Sequence, residues 1–174
     1  MKSVVFSDVH ADAVTAGEPR FDDVRDALFQ VVEHVRKARE RCLVIFAGDL
    51  CDPDSRSLIR CMLLASSIEG ALEELGCDQL WISGNHDVLE DGHGTTTIDF
   101  LLNSATTPFV YDSHCGKVVA LPYTELSRNY DPEAFVRSVE DPELVRLVVG
   151  HLMLEGISPG SETEDFPRGR DVFF

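Results

Sequence analysis

Short runs of β-branched and other apolar residues alternate along the chain with longer stretches in which apolar side chains recur every three or four positions. The runs SVVFS (3–7), CLVIFAG (42–48), QLWISG (79–84), KVVALP (117–122) and VRLVVG (145–150) read as strands, several apolar enough to be covered on both faces. Phe21, Val24, Leu28, Val31, Val32 and Val35 keep helical spacing after the first run. Leu58, Met62, Leu63, Ile68, Leu72 and Leu75 do the same after the second, and Gly76 stands where that helix would stop. A strand, helix, strand, helix, strand series requires parallel pairing with right-handed crossovers, so the fold class is α/β. From about residue 117 the helical patterns thin out, which predicts a second sheet face or an antiparallel addition. Residues 88–108, rich in Gly, Thr and Asp, read as an active-site loop followed by a short helix around 96–104, and PGSETEDFPRGR (159–170) reads as surface loop.

Four of the strands finish in chemistry. VVFSDVH ends in Asp8 and His10, VIFAGDLCD in Asp49 and Asp52, WISGNHD in Asn85, His86 and Asp87, and LVVGH in His151. In open α/β sheets ligands bind beyond the carboxyl ends of the strands, because the loops converge there on a rigid frame. Each piece alone has a plainer reading. D-x-H can be a surface Asp beside a capping His, and G-D-x-x-D a turn in which Gly48 accepts unusual φ. Together, each after an apolar strand, they suit a pair of divalent cations about 3.5–4 Å apart, with room for a phosphate and a hydroxide between them. Asp49, on the central strand of the group, is the candidate bridge. Asp8 and His10, pointing the same way from an extended segment, would take the first cation, and Asn85 with His151 the second. Mixed nitrogen and oxygen donors fit manganese first, then iron or zinc, ahead of calcium. His86 is left to meet the substrate and protonate a leaving oxygen, with Asp87 holding its other ring nitrogen.

Composition narrows the classes. The 174 residues, 44% apolar and 26% charged, suit one soluble domain spanning 1–174. With 31 acidic against 15 basic side chains and a net charge of −16, the surface repels nucleic-acid backbones unless bound cations reverse the field locally. Cys42, Cys51, Cys61, Cys77 and Cys115 show no C-x-x-C spacing, which predicts reduced thiols and a cytoplasmic protein. The opening MKSVVFSDVH lacks a signal-peptide core, and no apolar run is long enough for a membrane span.

With these motifs assembled, the chain resembles the calcineurin-like metallophosphoesterase superfamily, through D-x-H at Asp8 and His10, G-D-x-x-D at Gly48 to Asp52, G-N-H-D at Gly84 to Asp87 and G-H at Gly150 and His151. The resemblance implies a β-sandwich flanked by helices, a dinuclear metal site and hydrolysis of phosphate mono- or diesters. IFAGDLCD and ISGNHD look like the nuclease subunits of the SbcD type, which process DNA ends with an ATPase partner. The superfamily also supplies a downstream G-H-x-H, whereas here the sequence stops 23 residues after His151 at DVFF, and His34, His93 and His114 do not fit that pattern. The expectation is a C-terminally truncated domain in which His34 is solvated on a helix and His93 lies in a surface loop. Two other classes compete: a binding or scaffolding protein that keeps the fold without the catalysis, and a plain nucleotide-binding domain, which the lack of G-x-x-x-x-G-K ranks last.

Overall fold

The computed structural model describes residues 2–51, 57–89, 95–123 and 132–151; Asp52, His93, the 159–170 stretch and the final VFF lie outside them. Strands β1 (Lys2–Phe6), β4 (Cys42–Ala47) and β5 (Asp78–Ile82) form where the apolar runs predict, joined by the parallel two-residue strand β6 (Ser104–Ala105) in the order β1-β4-β5-β6. All three pairings are parallel, and β4 lies between β1 and β5. A small hairpin, β2 (Val14–Thr15) with β3 (Glu18–Pro19), follows β1. The crossovers are α1 (Phe21–Ala38) and α2 (Leu58–Glu74).

Every residue of β4 is buried because each of its faces has a cover. Cys42, Val44 and Phe46, with Trp81 of β5, pack against Leu28, Val32 and Val35 of α1 and Cys61, Leu64, Ile68 and Leu72 of α2. Leu43, Ile45, Leu80 and Ile82 point the other way, onto a second sheet. That sheet contains β7 (Phe109–Ser113), β8 (Gly116–Leu121) and β9 (Val145–Gly150), with β7 antiparallel and β9 parallel to β8. Its far face carries Val119 and Leu121 against Phe135 and Val136 of α3 (Pro132–Ser138). The layers therefore run helices, sheet, sheet, helix, the sandwich flanked by helices that the resemblance implies. Full burial of each Leu, Ile or Phe here contributes about 1.5–3 kcal/mol.

Two local expectations are corrected. No helix forms over 96–104: Asp99 accepts from both the amide and the hydroxyl of Thr96, starting one turn. Tertiary bonds then capture the chain, since Glu69 of α2 takes the Leu102 N–H at 2.7 Å and the Asn103 carbonyl accepts from Trp81 at 3.0 Å, drawing 104–105 into the sheet. On α2, Leu63 is 64% exposed although its spacing predicted core; the helix is apolar nearly all round, so periodicity did not select its face. Its end is as the glycine predicted. Gly76, at φ +68°, donates to Glu73 and Cys77 donates to Leu72, which satisfies the last carbonyls.

Candidate metal centre

The carboxyl ends of β1, β4, β5 and β9 meet at one edge of the two sheets. Beyond β1 the chain keeps following the exit of β4: Asp8 N–H donates to the Gly48 carbonyl at 2.9 Å, and Val9 and His10 both donate to the Asp49 carbonyl. This local path is not extended, contrary to the sequence expectation. Asp8, His10 and Asp49 all have left-handed φ, at 53°, 40° and 64°, a conformation uncommon for side-chain-bearing residues and sustained where surrounding bonds over-determine it. The outcome is the expected convergence by another route. Ligand atoms of Asp8, His10 and Asp49 lie within 4.8 Å of one another.

Two glycines permit that proximity. Gly48, at φ +97°, turns the chain out of β4, and a Cβ there would stand 2.5 Å from His151 Nδ1. A Cβ on Gly84 would lie 2.1 Å from Asp49 Oδ1. The exits of β4 and β5 thus touch backbone to backbone, and His151 crosses from the second sheet over Gly48.

Asp49 Oδ2 is the focus of the site. His151 Nε2 lies 3.4 Å from it, and the Nε2 atoms of His10 and His86 each 3.9 Å. Asn85 Oδ1 is 3.1 Å from His151 Nε2. The other nitrogens fix the tautomers. His151 Nδ1 meets the Ala47 carbonyl at 2.8 Å and His10 Nδ1 the Cys51 carbonyl at 3.2 Å. A carbonyl only accepts, so Nδ1 carries the hydrogen in both rings and a neutral ring turns its Nε2 lone pair toward Asp49. Imidazole, amide and carboxylate acceptors facing one small volume form a donor set for a cation, and a backbone carbonyl behind each imidazole is the usual support of a metal-ligating histidine. The residues present therefore fit a divalent ion.

The same crowding shows in the ionisation. Burial pushes the Asp49 carboxyl up, but hydrogen bonding and charge from His151 and His86 outweigh it and hold Asp49 below the ordinary range. Burial pushes His151 down, yet Asp49, the Ala47 carbonyl and Asp8 together raise it. His86 sits at the mouth, its side chain 32% exposed, its ring edge-on to His10 at 5.4 Å and its backbone N–H donating to Asp49 Oδ1.

Asp87 departs from the expectation that it orients the His86 ring. It is fully buried, and its carboxylate accepts from the backbone of Asp49, Leu50 and Gly84 and from the Thr97 hydroxyl. The reason is the turn that carries it: Asn85–Asp87 is a single 3₁₀ turn, in which successive side chains diverge by about 120°. Asp87 braces the loop instead. Thr97 and the carbonyls of Ala47 and Cys51 are supporting groups that sequence reasoning missed. Thr97 is one of three consecutive threonines without distinguishing context, and every residue has a carbonyl. His34 is exposed on α1, as expected.

A family model described as calcineurin-like phosphoesterase matches residues 1–163. Among curated proteins none matches. No described helix is long and apolar enough to cross a membrane.

Proposed function

The chain belongs to the calcineurin-like phosphoesterases, and from that premise we propose that it hydrolyses phosphate mono- or diesters with two divalent cations held by Asp8, His10, Asp49, Asn85 and His151. Manganese is the first choice, with iron and zinc behind it, because the donors mix imidazole nitrogen with carboxylate and amide oxygen. Such cations, when bound, polarise phosphoryl oxygens and make water a nucleophile near neutral pH. Asp49 is central enough to serve both, and the backbone carbonyls behind His10 and His151 keep their Nε2 atoms turned inward. His86, partly exposed beside His10, is placed to donate a proton to the leaving oxygen. A nuclease acting on DNA ends is the finer reading; the charge of −16 ranks it below small phosphodiesters. The free state of all five thiols fits a reducing compartment, which supports the cytoplasm.

The observation that carries this reading is the arrangement of three imidazole Nε2 atoms around Asp49 Oδ2 at the ends of strands from two sheets. The test is hydrolysis of an aryl phosphodiester and of a dinucleotide, after chelation and after manganese is restored. Asp49→Asn should abolish manganese binding and turnover. His86→Ala should keep binding and lower kcat on the dinucleotide by about 10²–10⁴, with a smaller loss on the aryl ester, whose leaving phenolate needs little help from a proton. Turnover that survives chelation, or that ignores His86→Ala on both substrates, overturns the proposal. Tight manganese binding with no turnover on either substrate would favour the scaffolding reading.

A further inference from the structure

At the opposite end of β5 from the metal centre a second group of reactive side chains lines up. Asp78 opens β5, and Asn85 lies seven residues further along, about 20 Å away at strand rise. Asp78 Oδ2 accepts from the His114 backbone N–H at 3.0 Å and also contacts His114 Nδ1. Arg41 donates to Asp78 Oδ1 at 2.7 Å, which leaves Oδ2 for the histidine. On the far side of the ring, His114 Nε2 is 3.0 Å from Cys115 Sγ. Neighbouring residues rarely place their side chains together, but the turn between β7 and β8 does so. Ser113 Oγ donates to the Gly116 carbonyl and accepts the Cys115 N–H, closing the turn.

We propose that Cys115 is a nucleophilic thiol assisted by His114 as base, a site of covalent modification by low-molecular-weight disulfides that is separate from the metal centre. The order of atoms is carboxylate, imidazole, sulfur. Asp78 holds Nδ1, so Nε2 is the nitrogen free to take the thiol proton. The imidazole stands between its partners, so the three donors do not converge on a point as Asp8, His10 and Asp49 do, and the geometry is that of a proton relay rather than a chelate. The other cysteines differ. Cys42, Cys51 and Cys61 are buried, and burial pushes the half-buried Cys77 thiol up. Cys115 is also half-buried, beside a His114 side chain that is 21% exposed, so a small reagent can reach it. In the reaction the thiol proton passes to His114 Nε2 as Sγ attacks one sulfur of the disulfide. That S–S bond breaks, the departing thiolate takes up the proton, and the products are a mixed disulfide at Cys115 and one free thiol.

The experiment follows the modification of each cysteine in the full chain by mass spectrometry, with oxidised glutathione and separately with iodoacetamide. Cys115 should react about tenfold or more faster than Cys77 and faster than a peptide spanning 110–120, and His114→Gln should remove that advantage. Asp78 is a positioning residue. Asp78→Asn should slow Cys115 and leave the buried Cys61 unreactive, whereas mere loosening of the fold would speed both. A Cys115 rate equal to that of the peptide, or one unchanged by His114→Gln, overturns the proposal. Both comparisons stand even where Asp78→Asn fails to fold.

Discussion

Replacing Asp87 by asparagine tests whether this carboxylate braces the loop or serves His86. Oδ2 accepts from Asp49 N and Gly84 N, both at 2.8 Å, and Oδ1 from Leu50 N at 2.9 Å and Thr97 Oγ1 at 2.7 Å. Asparagine has the same shape but one acceptor oxygen. Its better orientation keeps that oxygen on the Oδ2 side and turns the amide toward Thr97, whose hydroxyl can rotate to accept. Leu50 N–H then faces another donor, a buried unsatisfied group costing about 1–3 kcal/mol. The three surviving bonds lose their charge assistance, about 1 kcal/mol each. Relief of the buried charge offsets part of this, because burial raises the Asp87 carboxyl even against its four hydrogen bonds. The net expectation is a loss of about 2–4 kcal/mol. Asp87→Ala strands three backbone N–H groups and should cost on the order of 5 kcal/mol, comparable with the whole stability of a marginal domain. Urea unfolding followed through the single tryptophan, Trp81, which is 3% exposed and packed in the helix-side core, reads the difference. The bracing account fails if Asp87→Asn leaves the unfolding midpoint and manganese affinity at parental values while turnover drops; the carboxylate would then be acting on His86.

Two further substitutions probe the frame. Gly84→Ala keeps an ordinary φ of −95° but drives a methyl to 2.1 Å from Asp49 Oδ1. It should cost about 1–3 kcal/mol as overpacking and lower manganese affinity about 10–100-fold by calorimetric titration; parental affinity would show that Asp49 is not held by this contact. Glu69 is buried, and burial raises its carboxyl above 4.5, against the Leu102 N–H and with help from Glu73. A raised value means that the folded state holds the proton more tightly, so this contribution to stability is complete below pH 4.5 and is lost as pH rises through the folded value. Glu69→Gln keeps the acceptor for Leu102 and removes that slope. Its Tm near neutral pH should match or exceed the parent's, and a lower one would refute the assignment.

What could be read from the sequence divides along a physical line. CLVIFA announces a central strand because both faces of β4 are covered and every position is apolar. Asp8, His10, Asp49, Asn85, His86 and His151 are visible because their chemistry resides in side chains and each follows a recognisable strand. Facts determined by tertiary contact were hidden. Leu63 and Ile68 have the same apolar character on α2, yet one is 64% exposed and the other fully buried. The turns at 97–103 start like a helix and are diverted by Glu69 and Trp81, residues distant in sequence. Likewise the left-handed path through Asp8 and His10 is dictated by the carbonyls of Gly48 and Asp49, which any residue at those positions would supply.

The lack of a spacer in Gly-Asn-His-Asp follows from the same geometry. With three residues per turn, a 3₁₀ turn sends three adjacent side chains to three sides. Asn85 faces His151, His86 faces His10 and the open mouth, and Asp87 returns beneath the turn to the backbone of Gly84 and of the β4 exit. An inserted residue would rotate every later side chain by about a third of a turn, taking the buried carboxylate away from its donors and His86 away from the mouth. Gly84 completes the arrangement, since the close approach that leaves no room for its Cβ is the one that brings the Asp49 carboxylate within reach of the His86 amide. The motif is therefore short because Asn85, His86 and Asp87 take three different directions from one fixed turn.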